Sequence, residues 1–573
     1  MVYVMLMGMY LRTTKRKNKD GSEIKYFQLA HNFRDPNTGT VKASIIHNFG
    51  RVDQLDRADL ERLCKSIARI CNLEVRDPAK NEKGTTTCGE DDVFLPGVTM
   101  GETKALGAVW VVSALWEQLG IGPILRKAAK EAGLGADYEK ALLAMTTNRL
   151  CAPESKLGVW ERWLKTVHLP ACDQVSLSRM YESMDFLYER IDVVEQEIFF
   201  HTANLLNLEV DIIFYDATNV SFSIDYEDDN EDEDGLRLRG NAKDGTNSPL
   251  VSVALAVTRE GLPVRSWVFL GNITDVQTVE KVRADLRGWK LGRAMFVGDS
   301  GMNSKTNRSE LARGCGTYLL ASRVGSVAEI QDDVLSQRGR FRKITENLRA
   351  KEVVVGDGAR KRRYILCLNP EEARRQAHHR RQVLAEIKEK FSKHKEKKAT
   401  AKWAVQLMAS GRYGKYLKVD TEDNVVIDQE KIRKAKRMDG KWVLITNDDS
   451  ISVEDAAKGY KGLLVIEQCF RSLKTTRIKM QPVYHWLPNR IAAHVKICVI
   501  ALLIQRVAEL AVGRSWPRIR EDLDRIQATY FTNKSTHFFR RNNIPEDAAL
   551  IMKTLGISNP SEVLDIQKNV EKL

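Results

Sequence analysis

The sequence predicts an α/β protein: a mixed five-stranded sheet with helices, interrupted by a largely β insertion and preceded by a β-unit and a helical domain. Three observations predict this class. Strand-like and helix-like segments alternate after residue 210, apolar residues recur at helical spacing before it, and strands with turn signals fill the first 50 residues. With 573 residues, 43% of them apolar, the chain can bury a substantial core.

The same patterns divide the chain into seven segments. They are an N-terminal β-unit and helix (1–75), a polar linker (76–100), a helical domain (101–208), the first part of the α/β core (209–325), an insertion (326–450), the second part of the core (451–512) and a C-terminal helical region (513–573). The helical domain is predicted to bind DNA, although its periodicity fits a plain helical scaffold equally well.

The N-terminal unit is predicted from three short strands. These cover residues 10–14, 25–30 and 41–49, and Asp-Gly and Asp-Pro-Asn sequences supply the turns between them. Four basic residues crowd the first turn. They fit a solvated loop better than a phosphate contact.

The α/β core begins with alternating strands and helices. The predicted strands are 212–215, 250–257, 264–270, 293–297 and 318–321, and the predicted helices are 275–286 and 304–313. This order combines an antiparallel hairpin with later parallel crossovers, so the sheet is predicted to be mixed. The eight acidic residues in 225–234 are typical of a solvated loop.

The insertion is predicted from strands at 352–355, 363–368 and 442–446 and from a basic helical stretch at 371–399. That stretch fits either a solvated helix with internal ion pairs or an arm lying on phosphates. After the insertion, Ser452 and Asp455 have the spacing of a capping box and begin a long helix to about residue 475. Another helix, apolar enough to be core, is predicted from 488 to about 510.

Charge and cysteine content narrow the function classes. The net charge of +14 favours a polyanionic partner, most commonly nucleic acid. The nine cysteines include no CxxC pair, which argues against a zinc ribbon or a disulfide framework and favours a reducing cytosol. The longest apolar run near the C-terminus, 497–504, is too short to span a bilayer, so no membrane association is expected.

Two acidic residues directly follow apolar strands. Asp216 comes after Ile-Ile-Phe-Tyr, and Asp299 comes after Ala-Met-Phe-Val-Gly. Either acid alone would more often be a cap or turn residue. Together they indicate a metal or acid/base site at the edge of a sheet.

A third acid lies on the long helix after the insertion. Tyr460, Glu467 and Lys474 recur every seven residues, about two helical turns, so they are expected to share one face. Arg471 follows Glu467 by four residues and could form a surface ion pair with it. The apolar residues between them bury the rest of this helix, which favours a charged stripe facing a cleft.

With these residues the sequence resembles the bacterial insertion-sequence transposases of the DDE type, and more narrowly the group with the signature Y-x2-R-x3-E-x6-K. The resemblance covers roughly residues 9–510 and includes further motifs. They are YDATNVSF (215–222), VGDSGMNS (297–304), YLLASR (318–323) and PVYHWLPNRIAAHVKICVIAL (482–502).

The signature matches at its Tyr, Glu and Lys positions, but Leu463 occupies the position of the Arg. In this family the Tyr and the Arg are associated with the DNA strand end. With Leu463 at that position, the contact is expected either to be weakened or to be supplied elsewhere, by Lys461 or Arg471, beside Tyr460 and Lys474.

The resemblance implies an RNase H-like catalytic core with Asp216, Asp299 and Glu467 as metal-binding acids. Three carboxylates with no converging His or Cys suit Mg²⁺ or Mn²⁺, and two such ions can clamp an in-line displacement at phosphorus. The expected reaction is strand cleavage followed by strand transfer without a covalent protein–DNA intermediate.

The family also implies cut-and-paste transposition through hairpin ends. The expected partners are the terminal inverted repeats and a target DNA, bound by a homodimer in the synaptic complex, in the bacterial cytoplasm at the nucleoid. A Trp of the insertion can stack on a flipped base in this group, and Trp403 and Trp442 are the candidates. Each is individually more typical of a core residue.

Three other functions share some of these features. A structure-specific endonuclease or resolvase would use the same acids without binding terminal repeats. A catalytically inactive DNA-binding regulator would not need all three acids. A hydrolase of small phosphoesters would explain neither the length nor the charge.

Overall fold

The structure is a computed structural model that describes residues 9–17, 23–34, 41–51, 98–222, 227–228, 235–241, 247–324, 327–395, 401–421, 424–532 and 536–568. The chain forms two compact units, Met1–Leu95 and Pro96–Leu573. The predicted helix before residue 75, most of the linker and most of the acidic loop lie outside the described residues.

The N-terminal unit contains a three-stranded antiparallel sheet. Its strands are β1 (Met9–Lys17), β2 (Glu23–Arg34) and β3 (Val41–Arg51), in the order β1-β2-β3. The three predicted strands are therefore confirmed, each longer than its apolar stretch.

The second unit contains the remaining strands and all the helices labelled here. The strands are β4 (Thr99–Ala105), β5 (Ile212–Ser221), β6 (Leu238–Asn241), β7 (Asn247–Val257), β8 (Pro263–Leu270), β9 (Met295–Gly298), β10 (Tyr318–Ser322), β11 (Arg342–Thr345), β12 (Leu348–Val355), β13 (Arg362–Leu368), β14 (Leu417–Val419), β15 (Val425–Ile427), β16 (Lys441–Thr446), β17 (Gln527–Thr532), β18 (Thr536–Arg541) and β19 (Val563–Lys568). The helices are α1 (Gly107–Gln118), α2 (Ile121–Glu131), α3 (Asp137–Cys151), α4 (Leu177–Glu189), α5 (Ile191–Leu205), α6 (Asp275–Gly288), α7 (Lys305–Ala312), α8 (Pro370–Lys395), α9 (Ala401–Ala409), α10 (Gln429–Met438), α11 (Val453–Lys461), α12 (Leu464–Arg471), α13 (Pro488–Val512), α14 (Trp516–Leu523) and α15 (Glu546–Thr554).

A ten-stranded mixed sheet forms the centre of this unit, in the order β11-β12-β13-β16-β10-β9-β5-β7-β6, with β8 also paired to β7. The five predicted core strands and the two helices between them are all present. The pairs β5–β9 and β9–β10 are parallel, and the others are antiparallel. The sheet is mixed, as predicted.

The sheet has ten strands rather than the predicted five because the insertion extends it. Strand β16 pairs with β10 and joins β11, β12 and β13 to the core. This pairing covers the backbone edge that β10 would otherwise expose. Helices α8, α9 and α10 lie in the same segment, so it is mixed rather than largely β, and they pack around a small core of their own that includes Val383 and Leu417.

The two faces of the sheet follow the alternation of its side chains. Phe214 and Val297 belong to one apolar core, which also contains most of α13. Ile213 and Phe296 belong to a second core on the other face, together with the apolar side of α6. Helix α13 is apolar and mostly buried, as predicted, and α3 and α4 pack against it.

The C-terminal region is not purely helical, contrary to the prediction. Strands β17, β18 and β19 form a four-stranded antiparallel sheet with β4, which covers the end of the predicted linker and the first five residues of the segment predicted to be helical. Aromatic residues opposite each other hold β17 and β18 together, with the rings of Phe531 and Phe538 stacked at 5.7 Å. Each of these strands has only six residues, so the strand pattern extends over few positions of the sequence.

Within the described ranges, no single helix is both long and apolar enough to cross a membrane. Helices α1 and α2 reach that length and hydropathy only as a pair, and a bend of 63° separates them.

Candidate active site

Asp216 and Asp299 lie at neighbouring positions of the central parallel strands. The pairing of β5 with β9 runs in register from Ile212 opposite Met295 to Phe214 opposite Val297. Asp216 and Asp299 each follow the last of these pairs by two residues. Because side chains two apart share a face, both acids are placed on the face of Phe214 and Val297.

The local backbone differs at the two acids. Asp299 directly follows β9, as predicted, and its Oδ1 accepts a hydrogen bond of 2.8 Å from the backbone N–H of Gly301. Asp216 does not end its strand, contrary to the prediction, because β5 continues to Ser221 and stays paired to β7. Asp216 is half-buried at the point where the neighbouring strand β9 stops.

Glu467 is carried to the same face of the sheet by α12, which packs against β5 and β7. The predicted long helix is in fact broken, since α11 ends at Lys461 and α12 begins at Leu464. Gly462 lies in the break, where a Cβ atom would be 2.4 Å from Cζ of Phe214. The close contact of the chain with β5 therefore depends on Gly462, which has no side chain.

The charges of all three acids act on the phenol of Tyr460. Its side chain is half-buried, and burial together with the negative charges of Asp299, Glu467 and Asp216 raises the pKa of Tyr460 to about 12. The two strand-borne acids and the helix-borne acid thus all lie near enough to one phenol for their charges to act on it. The structure brings together residues that are 168 positions apart between Asp299 and Glu467.

The donor chemistry of this region fits a hard divalent cation. Carboxylate oxygens are the ligands that Mg²⁺ and Mn²⁺ prefer. Glu467 is exposed and both aspartates are half-buried, so solvent and ions reach them. Among the described residues, no three His, Cys, Asp or Glu side chains lie close enough together to hold a metal ion. The acids share one region without forming a closed coordination shell.

A fourth carboxylate, Asp275, lies beside Asp299 and was not predicted as a site residue. A Cβ atom at Gly301 would be 3.0 Å from Oδ1 of Asp299 and 3.2 Å from Oδ2 of Asp275. Burial and the charges of Asp275 and Asp216 also raise the pKa of Tyr215, which hydrogen-bonds Thr278. The sequence marks Asp275 only as an acid in the first turn of a helix, a common stabilising position.

The other residues of the signature lie on α11, α12 and the turn after them. Leu463 is buried, so the departure from the family Arg places an apolar side chain in the core. Lys461 is exposed and is close enough to Cys367 for its charge to act on that thiol. Arg471 lines a different cavity, together with Arg477 and Arg514 among others.

Lys474 lies in the helical turn Ser472–Thr476 and is half-buried. Its carbonyl oxygen accepts a hydrogen bond of 3.5 Å from the backbone N–H of Gln481. This bond ties the end of the helix to the chain that leads into α13. The role of Lys474 toward DNA remains a prediction.

The two tryptophans of the insertion both pack into apolar cores. Trp403 contacts the small core of the insertion, with its ring 5.9 Å from that of Phe391. Trp442 lies on β16 and packs against the main core, where its Nε1 is buried without a hydrogen-bond partner. Both positions agree with the core interpretation favoured from the sequence.

Comparison with known proteins identifies the families that the chain matches. The family described as "IS1634 family transposase, N-terminal domain" matches residues 11–79, and "Transposase DDE domain" matches residues 211–503. No curated protein matches. A solved structure, the cryo-EM piggyBac transposase synaptic complex with hairpin DNA, is similar at a TM-score of 0.33 and 10% identity. The alignment covers 74% of this chain and 82% of that chain.

The DDE domain match covers more than half of the chain and includes all three predicted acids. It also spans the whole ten-stranded sheet and most of α13. The chain therefore belongs to the transposase DDE domain family and is a metal-dependent DNA transposase of an insertion sequence.

Proposed function

We propose that Asp216, Asp299 and Glu467 are the catalytic residues of this transposase and that they bind two divalent cations, Mg²⁺ or Mn²⁺. The observation that carries the proposal is the common sheet face of the two aspartates, together with the packing on β5 of the helix α12 that carries Glu467. The influence of all three carboxylates on the pKa of Tyr460 supports it further.

Bound divalent cations would supply electrostatic stabilisation of the oxygens at the phosphorus that is attacked. The chain itself holds and orients the carboxylates that would bind these cations. Asp216 and Asp299 are fixed by adjacent strands of the sheet, and Glu467 comes from a helix packed on that sheet. With a pKa of about 12, Tyr460 stays protonated near neutral pH and donates a hydrogen bond to a phosphate oxygen of the DNA.

We further propose that the substrate is the terminal inverted repeat of the element and that a target DNA receives the cut strand. Lys461, at the end of α11, and Lys474, in the turn after α12, are the candidates to supply positive charge to the DNA. Arg471, which lines another cavity, is a weaker candidate for the contact that Leu463 does not make. Synapsis by a homodimer and passage through hairpin ends belong to the same proposal. It assigns base stacking to neither Trp403 nor Trp442.

Cleavage of a duplex that carries the element end tests the proposal. Asp216→Asn, Asp299→Asn and Glu467→Gln should each abolish Mg²⁺-dependent cleavage while binding of the same duplex is kept. Asp211→Asn is the matched control, because Asp211 is an exposed acid at the start of the same strand, paired with Arg259. Cleavage retained by any of the three variants removes that residue from the site.

The same substrates separate the proposal from its rivals. A resolvase or structure-specific endonuclease would bind branched DNA of unrelated sequence as tightly as the element end. An inactive regulator would bind the element end and leave it uncut with either metal.

A further inference from the structure

A basic cavity of about 540 Å³ lies away from the three acids, between α3, α4 and the chain that leads into α13. Its lining includes Arg149, Lys156, Arg162, Tyr181, Tyr484 and His485. Glu154 is its one carboxylate. We call this cavity the Lys156 pocket.

Lys156 is buried in the wall of the pocket, with only 4% of its surface exposed. Its Nζ is 3.1 Å from Nδ1 of His494, and Nε2 of His494 is 3.0 Å from the carbonyl oxygen of Met480. This geometry fits a neutral imidazole that accepts from Lys156 and donates to Met480. Burial and the nearby cations Lys156 and Arg149 also lower the pKa of His494 well below its usual value, so the imidazole adds no charge.

Arg149 is a second buried cation, 5% exposed. Its guanidinium donates to the carbonyl oxygens of Lys479, at 3.0 Å, and of Glu154. Its Nε is buried without a partner. Carbonyl oxygens satisfy N–H groups but do not neutralise the charge, so the guanidinium keeps its attraction for an anion.

The charges of Lys156 and Arg149 are not balanced by the protein. The carboxylate of Glu154 pairs with Arg162 at 2.8 Å, and no described carboxylate forms an ion pair with either buried cation. Burial together with Arg149 lowers the pKa of Lys156 to about 7. Keeping two uncompensated cations in a protein interior is costly, and a bound anion removes that cost.

The pocket is connected to the candidate active site through β5. Gln481, just before the loop that lines the pocket, donates from Nε2 to the carbonyl oxygen and Oγ of Ser221, at 3.4 and 3.3 Å. Ser221 follows Asp216 by five residues on the same strand, about 17 Å at the usual rise of a strand.

The loop that closes the pocket also exposes aromatic surface. Tyr484 is 64% exposed and Trp486 is 56% exposed. Exposed aromatic rings beside a basic cavity are typical of surfaces that bind a nucleic-acid strand, where rings contact bases and cations contact phosphates.

From these observations we propose that the Lys156 pocket binds a phosphate of the DNA substrate through Lys156, Arg149 and Arg162. The proposal rests on DNA being the substrate, and it does not depend on which residues perform the cleavage. It assigns to the helical segment before the catalytic sheet one definite DNA contact, at a distance from the scissile bond.

The test measures binding of a fluorescent duplex carrying the element end. Lys156→Met should weaken binding about tenfold and lower the slope of log affinity against log salt by about 1. Lys165→Met is the control, because Lys165 is an exposed lysine of the adjacent helical turn. Arg162→Gln changes a mostly exposed side chain at the rim, so it keeps the test available if Lys156→Met does not fold.

A phosphate scan identifies the ligand directly. One methylphosphonate at a time replaces each phosphate near the end, and a further duplex lacks its 5′-phosphate. The affinity of the wild type should fall when one particular phosphate, internal or terminal, is neutralised or removed. The affinity of Lys156→Met should not fall further when that same phosphate is changed. The proposal is overturned if Lys156→Met and Arg162→Gln bind like the wild type, or if they respond to every neutralised phosphate as the wild type does. Because cleavage is not measured, an error in the assignment of the acids would leave this result unchanged.

Discussion

Gly462 lies against Phe214 so closely that a Cβ atom on Gly462 would be 2.4 Å from Cζ of the ring. Phe214 precedes Asp216 by two residues, and Gly462 precedes Glu467 by five. This contact is where the helix that carries one acid meets the strand that carries another.

Replacing Gly462 by Ala should therefore damage both stability and catalysis. We expect a loss of about 1–3 kcal/mol in the free energy of unfolding, because the added methyl group forces α12 away from β5. Cleavage of the element end should fall by more than the loss of folded protein explains, since Glu467 moves with the helix. Gly288→Ala is the control: a Cβ atom there meets nothing within 4 Å, and we expect no loss. Equal cleavage by the two variants would show that the contact does not position Glu467.

Asp275 should contribute to catalysis although it lies outside the predicted triad. Its carboxylate approaches Asp299 at Gly301, so its charge adds to the field that holds a divalent cation. Asp275→Asn should raise the Mg²⁺ concentration needed for half-maximal cleavage by about 10–100-fold, as the loss of an outer-shell partner does. Asp211→Asn serves again as control, and an unchanged Mg²⁺ dependence in Asp275→Asn would exclude Asp275.

The buried ion pair between Lys496 and Glu195 should hold the helical segment onto the catalytic sheet. Nζ of Lys496 is 2.7 Å from Oε2 of Glu195, and Oε1 of Glu195 accepts hydrogen bonds from the backbone N–H and Oγ of Ser266 on β8. Lys496→Met should cost about 3–5 kcal/mol of unfolding free energy, because it leaves a buried carboxylate without its partner.

A double-mutant cycle checks this assignment. Lys496→Met combined with Glu195→Gln should cost less than the sum of the two single changes by more than ~1 kcal/mol. The exposed pair Lys458 and Glu454 is the control and should show a coupling below ~0.5 kcal/mol. Additive costs at Lys496 and Glu195 would mean that the two charges do not interact.

Stability should depend on pH through Lys156. Its pKa is about 7 in the folded protein and about 10.4 in an unfolded chain. Between these values the unfolded chain binds the proton and the folded chain does not, so stability rises with pH, and below about 7 the dependence disappears. The groups that face Lys156 are Arg149, His494, His485, Tyr484, Cys498 and Glu154.

Lys156→Met removes this titration. The free energy of unfolding of the variant, minus that of the wild type, should fall by up to about 1.4 kcal/mol for each pH unit from pH 7 to pH 10. Urea unfolding without DNA measures both values. Parallel stability curves for the two proteins across that range would show that Lys156 is charged and solvated in the folded state.

Local sequence patterns predicted the strands and acids that depend on local chemistry. The apolar stretches before Asp216 and Asp299 form paired strands, and the two acids fall at neighbouring register positions. The capping serine Ser452 begins α11 as its sequence predicts, accepting from the backbone N–H of Asp455. Turn residues and alternation carry this information within a few positions.

The features that the sequence did not predict depend on distant contacts. The pairing of β10 with β16 joins residues more than a hundred positions apart, so no local pattern announces that the insertion extends the sheet. The break at Gly462 is required by Phe214, and the approach of Asp275 to Asp299 follows from how α6 packs beside the turn after β9.

Iron-directed cleavage of the protein tests the central claim most directly. Fe²⁺ loaded in place of Mg²⁺, with ascorbate and peroxide, generates radicals that cut the backbone nearest the bound ion. If the three acids hold the ion together, the cuts should fall near Asp216, Asp299 and Glu467, and they should vanish when all three are replaced by their amides. Cuts at only one of the three segments, or cuts that survive the triple replacement, would contradict a shared metal site.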